Sequence, residues 1–254
     1  MSIDYNLAAI TAPAALFFIG IFLYGERVHV LRLITDNHRN IESVTTGMSI
    51  AYVFMHMMPE LHEASETIAK SESISTPFDG MLIYYFALIG FLAFLGIERL
   101  RSRLSETEDA HIDSSGEVKF SNAFLIHMAG LVIYVCLMSY LLVRTTESSI
   151  TNIALFAFAF GGHFLAIAHD LIKEHGEVYR HYGRWALAIG VLLGWLTGVL
   201  TILPENGLAM LTAFIAGAVI MTNTMMEVPA NKDGRYTWFA AGSLIYGLLM
   251  LSLR

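Results

Sequence analysis

Gly161–His175 reads GGHFLAIAHDLIKEH, and its first nine residues close an apolar segment, Ser148–His169, that contains no Asp, Glu, Lys or Arg. The segment is therefore built like a membrane span, yet it carries His163 at depth and His169, Asp170, Glu174 and His175 at its end. On a helix of 3.6 residues per turn, Asp170 and Glu174 follow His163 by seven and eleven residues, which brings both within about 20° of it around the axis. Ionisable groups at membrane depth usually face a bundle interior and mark an ion or proton path. Two readings stand side by side: a polar ladder that guides or holds a cation, or an ordinary charged helix end from Asp170 onward.

Working outward, the same kind of segment recurs. Tyr5–Gly25, Ser43–Pro59, Gly80–Ile97, Phe120–Val143, Trp185–Pro204, Asn206–Met226 and Tyr236–Leu253 also lack all four charged residue types, and the eight intervals run from 17 to 24 residues. That is the length needed to cross a hydrocarbon core about 30 Å thick. With 56% hydrophobic and 15% charged residues and a mean hydropathy of +0.59, the chain lies outside the range of ordinary soluble domains. The expectation is an all-α integral membrane protein, an eight-transmembrane-helix bundle forming one polytopic domain over residues 1–254. Leu104–Lys119, containing SETEDAHIDSSGEVK, reads as a flexible loop between spans three and four.

Charge sets the orientation. Twelve of the fifteen Lys and Arg residues fall in the four loops after the odd-numbered spans, leaving Lys70, Arg144 and Arg254 on the other side. The positive-inside tendency then makes those four loops cytoplasmic and puts both termini outside. The lead MSIDYN has an acid and no base, so the first span reads as a retained helix rather than a cleaved signal. The setting expected is a plasma membrane, of bacterial inner-membrane type, with the lipid bilayer as the chief partner. Cys136 is the single cysteine, which excludes an intramolecular disulfide and a thiolate cluster. A net charge of −7 makes a nucleic-acid partner improbable.

Three further features carry chemistry or packing. Span two ends in MHMMPELHEASE, where His56 and Glu60 are i, i+4 neighbours beside Pro59. Such a mixed N/O pair suits zinc or a similar first-row ion at an outer mouth, and an interfacial polar helix end is the plainer alternative. Span four offers His127, read either as a satisfied buried histidine or as a ligand. Span six places Gly190, Gly194 and Gly198 at four-residue spacing, a close-packing face for a neighbour within the chain or for a homodimer or larger complex.

Taken together, AYVFMHMMPELHEA (51–64), ALIGFLAFLGIERL (87–100) and FIAGAVIMTNTMMEVP (214–229) resemble spans two, three and seven of the ZIP family of divalent metal transporters. That resemblance implies eight spans, both termini outside, a variable cytoplasmic loop after span three, and a divalent metal ion, zinc foremost, as transported substrate. The motif carries over to His56, Pro59, Glu60 and Glu227. In the family, spans four and five each bear a His with a following Glu that ligate the ion. Here Tyr134 and Met138 fall at the span-four positions, and either Phe160 or His163 at the span-five position. His163, His169, Asp170, Glu174 and His127 are candidates from spacing alone.

Three functions follow as expectations. The first is divalent cation transport, of zinc, manganese or iron class, along a His/carboxylate path, with no covalent chemistry and so no enzyme activity. The second is a ZIP-like scaffold, accessory or sensor subunit without transport, suggested by Tyr134 and Met138. The third, an intramembrane zinc hydrolase, needs three protein ligands and an open position, and no compact HxxxH or HExxH motif supplies them.

Overall fold

A computed structural model describes residues 5–25, 38–70, 80–109, 121–146, 149–227 and 236–253. Among these residues the backbone is helical almost throughout and contains no strand. The order is α1 (Tyr5–Tyr24), α2 (His38–Tyr52), a π turn (Val53–Met57), α3 (Met58–Lys70), α4 (Leu82–Asp109), α5 (Asn122–Arg144), α6 (Ile150–Val178), a second π turn (Tyr179–Gly183), α7 (Arg184–Leu200), α8 (Glu205–Glu227) and α9 (Tyr236–Ser252). Each of the eight charge-free intervals is mainly helical.

Five helical stretches are long and apolar enough to cross a membrane: Asn6–Tyr24, Leu82–Glu106, Asn122–Arg144, Ile150–Leu200 and Glu205–Met225. The 51-residue stretch is two rods, because Gly176, at φ 49° and ψ −122°, breaks the helix within α6, three residues before the second π turn. Only glycine adopts that backbone without strain. α9 is apolar but shorter. Large apolar side chains on the outward faces, such as Leu244, Ile245 and Leu248 on α9 and Tyr85 and Leu92 on α4, are exposed, as lipid contact allows.

Two departures from the sequence reading concern helix ends. α4 continues through Asp109, so the loop expected from Leu104 begins inside a helix, whose RLRSRLSETED run is rich in helix-favouring Arg, Leu and Glu. Residues 110–119 of that loop lie outside the described residues, as do 26–37 and 228–235. Near His56 the chain widens into a π turn, in which the Met58 N–H donates to the Val53 carbonyl five residues back. Pro59 follows immediately in a helical path that runs unbroken through Met58, and the widened turn before it accommodates the missing N–H.

Helix pairs are set by backbone approach at glycine. A Cβ at Gly90 would overlap the Phe214 carbonyl oxygen, and one at Gly217 the Ala87 carbonyl oxygen, so α4 and α8 lock reciprocally. Gly47 and Gly242 do the same for α2 and α9, against Phe239 and Val44. The Gly190–Gly194–Gly198 ridge packs within the chain, facing the Val132, Cys136 and Tyr140 carbonyl oxygens of α5. In lipid, where apolar side chains gain little by leaving their surroundings, such close contact is what favours one helix pairing over another.

The core is aromatic. Phe18, Tyr52, Phe156, Phe160, Phe164 and Tyr134 are each at most 1% exposed. Tyr52 meets Phe156 and Phe160 edge-on at centroid distances of 5.5 and 5.2 Å, and Phe18 meets Phe164 at 4.9 Å. These are the favoured T-shaped contacts. They fill the space between α1, α2 and α6.

Candidate metal centre

His163 lies in this interior with no exposure. Its Nε2 is 3.1 Å from the Tyr134 hydroxyl, while Nδ1 is buried without a hydrogen-bond partner. Asn223 of α8 approaches the same imidazole, and its own Oδ1 lies 2.9 Å from Ser49 Oγ. A short polar file thus links α5, α6, α8 and α2 through the middle of the bundle. Among the described residues His163 does not belong to any group of three metal-ligating side chains.

The expected ladder divides for a reason of length. A helix rises 1.5 Å per residue, so Asp170 and Glu174 stand about 10 and 16 Å along the axis from His163, and one ion reaches neither together with it. Asp170 is half exposed, with its Oδ1 3.7 Å from Lys173 Nζ. His169 is partly buried and stands outside the cluster formed at the end of the helix.

That cluster is where the chemistry gathers. Where α4, α6 and α8 finish and α5 begins, His127 Nδ1 lies 3.2 Å from His175 Nε2. The Glu174 Oε2 atom is 3.7 Å from the former and 3.8 Å from the latter. In a tetrahedral zinc site with bonds of about 2.1 Å, neighbouring donor atoms stand about 3.4 Å apart. The two rings stand at hydrogen-bond distance from one another. In the plane of the three donors the equidistant point lies about 2.1 Å from each, and a tetrahedral ion above that plane needs Glu174 to close by about 0.3 Å. Two imidazoles and one carboxylate with a fourth position open form a donor set that could hold a divalent first-row ion.

Local structure places each donor. Ser121 caps α5 by accepting the Phe124 N–H at 2.9 Å, which fixes the first turns from which His127 projects. Phe124 also stands edge-on to the His175 ring at 5.0 Å. α6 stays helical through His175 and breaks at Gly176, so Glu174 and His175 are its last helical residues before the break. Arg101 of α4 completes the group. Its Nε donates to Glu98 Oε2 at 3.0 Å, one terminal nitrogen bonds Glu98 Oε1, and the other bonds Glu174 Oε1. Glu174 therefore presents one oxygen to Arg101 and the other to the histidines.

The cluster opens on a cavity of about 470 Å³ between α4, α5, α6 and α8, with Glu98, Arg101, His127, Asp170 and Glu174 in its polar wall. Phe94, Leu131 and Met221 line its apolar wall. Thr222 is also in the lining and interacts with Tyr134, so the cavity's deep end adjoins the Tyr134–His163 pair.

At the opposite end His56 Nε2 lies 3.1 Å from Glu60 Oε1, and the His56 ring packs against Tyr52 at 4.8 Å. This is a pair, and no third ligand joins it in a described cluster. Between it and His163 stand Tyr52, Phe156 and Phe160, all buried. Tyr134 and Met138 are fully buried as well. Glu227 is the final residue of α8, and its side chain lies outside the described residues.

Comparison with known protein families, curated proteins and solved structures finds no match. The site therefore rests on its own geometry. Three of its residues stand outside the candidates read from sequence: His175 as a candidate ligand, and Arg101 and Glu98 as neighbours of Glu174. His175 was visible as a polar residue at the helix end. Its azimuth, about 100° from Glu174, hid the fact that a histidine from α5 bridges the two.

Proposed function

We propose that this chain is a divalent-cation transporter of ZIP-like organisation. It crosses the membrane eight times with both termini outside, so the end carrying His127, Glu174 and His175 faces the cytoplasm. The charge-free helices, the basic loops and the span-two, -three and -seven likenesses support this arrangement. The observation that carries the function is the common centre of the three donors at the mouth of a cavity that reaches inward between four helices. The aromatic layer of Tyr52, Phe156 and Phe160 closes the route toward His56 and Glu60, so the arrangement corresponds to an inward-facing state. Alternating access would move that layer and the file through His163, Tyr134 and Asn223. Zinc is the favoured substrate on the donor set, with manganese and iron next. Any association with another copy uses a face other than the glycine ridge, which α5 covers.

One observation favours a second reading. The dry packing of Tyr134 and Met138, where the family has ligands, suits a ZIP-like sensor or scaffold that holds a metal at its cytoplasmic end without passing it. Zinc uptake by proteoliposomes containing the purified chain separates the two. Transport predicts saturable uptake that falls at least tenfold in His127→Ala and Glu174→Gln. Metal binding without uptake supports the sensor, and absence of both removes the metal function.

A further inference from the structure

We propose that Arg101 is a tethered cation that competes with the divalent ion for Glu174, and that this exchange fastens and releases a strap across the cavity mouth. The inference rests on reading His127, Glu174 and His175 as a metal centre, and goes beyond it in assigning how that centre is gated. Four observations carry it.

The first is the way Glu174 is shared. One carboxylate oxygen bonds an Arg101 terminal nitrogen, and the other faces both imidazoles at 3.7 and 3.8 Å. The second is that Arg101 has somewhere to go. Glu98 already takes its Nε at 3.0 Å and a second nitrogen, a two-point pairing of the kind a guanidinium fork prefers. Release of Glu174 therefore leaves no unpaired charge in a partly buried place, which would be costly. The third is topological. α4 packs along α8 and against α5, whereas α4 and α6 have almost no backbone contact among the described residues. The Arg101–Glu174 bond joins those two helices across the cavity between them. The fourth is charge: the two Glu174 oxygens share one negative charge, so a divalent ion on Oε2 draws it away from Oε1 and weakens the Arg101 bond, while the guanidinium opposes the ion in turn. Binding at the centre thus loosens the tie between α4 and α6, and departure of the ion restores it.

Zinc titration calorimetry on the full-length protein in detergent micelles tests this. Arg101→Gln is expected to bind Zn²⁺ about tenfold more tightly, since one charge-assisted competitor for Glu174 is gone. Glu98→Gln is expected to bind about tenfold more weakly, because Arg101 then has Glu174 as its remaining carboxylate. A residue that merely orients a ligand shows the opposite sign, with 10- to 100-fold weaker binding on its removal. Unchanged or weaker binding in Arg101→Gln, with His127→Ala still abolishing it, overturns the strap and leaves the metal centre standing. Should Arg101→Gln fail to fold, tighter or unchanged binding in Glu98→Gln overturns the strap equally. Parent-like binding in both His127→Ala and Glu174→Gln removes the centre itself.

Discussion

His163 and Glu174 sit on the same face of the same helix, and their surroundings could hardly differ more. His163 is enclosed, with a tyrosine hydroxyl, an asparagine and aromatic rings around it. Glu174, three turns on, meets two imidazoles and a guanidinium at the edge of a cavity. A shared azimuth makes a continuous stripe on a helical projection, but an ion samples a sphere a few ångströms across, and three turns exceed it. The lesson is that polar groups converge across helices, from α5 and α6 here, more readily than along one of them.

The sharpest way to break this comparison is to remove a donor at the helix end. Glu174→Gln, which keeps shape and removes the charge, is expected to weaken zinc binding at least 100-fold in calorimetry while shifting thermal unfolding little. The complementary change, His163→Ala, should cost about 2 kcal/mol or more of stability by leaving a cavity and an unpaired Tyr134 hydroxyl. Its zinc affinity should stay within about twofold of the parent, read on the folded fraction. If His163→Ala abolishes binding without loss of stability, the two regions have been assigned the wrong way round.

Smaller changes sharpen the contrast further. Tyr134→Phe deletes one side of the 3.1 Å contact to His163 and should lower stability by about 1 kcal/mol, measured by thermal or denaturant unfolding in micelles. Asp170→Asn should change neither stability nor zinc affinity detectably. Its pair with Lys173 is half exposed on both sides, and such pairs contribute about 0.5 kcal/mol or less.

Much of the architecture was legible in sequence, for reasons that are simple physics. Runs without charge mark apolar helices: each of the eight is mainly helical, and five helical stretches are long and apolar enough to cross a membrane. The glycine ridge of α7 announced close packing, although nothing in its spacing named α5 as the surface it meets. The end of α4 is hidden in sequence because polarity is a poor guide to helix ends beyond an apolar run: SETED is polar, but it is also a competent helix.

For the site, His127 and Glu174 were each visible as polar residues in or beside a span, and neither revealed the other. Their meeting depends on how α5 and α6 pack, which is a tertiary fact. His175 and Arg101 escaped for the same reason, since their roles exist only through contacts 48 and 73 residues away in the chain. The outer pair, His56 with Glu60, was readable because both partners lie one turn apart on a single helical path.

The central claim is that two imidazoles and one carboxylate at the basic-loop end hold a divalent cation. X-ray absorption at the zinc edge, on the full-length protein with one equivalent of Zn²⁺, measures this most directly. The account predicts a four-coordinate ion with two imidazole nitrogens and a carboxylate oxygen at about 2.0–2.2 Å, and loss of one imidazole shell in His175→Ala. A spectrum of hydrated zinc, or a histidine signature unchanged by both His127→Ala and His175→Ala, would contradict it.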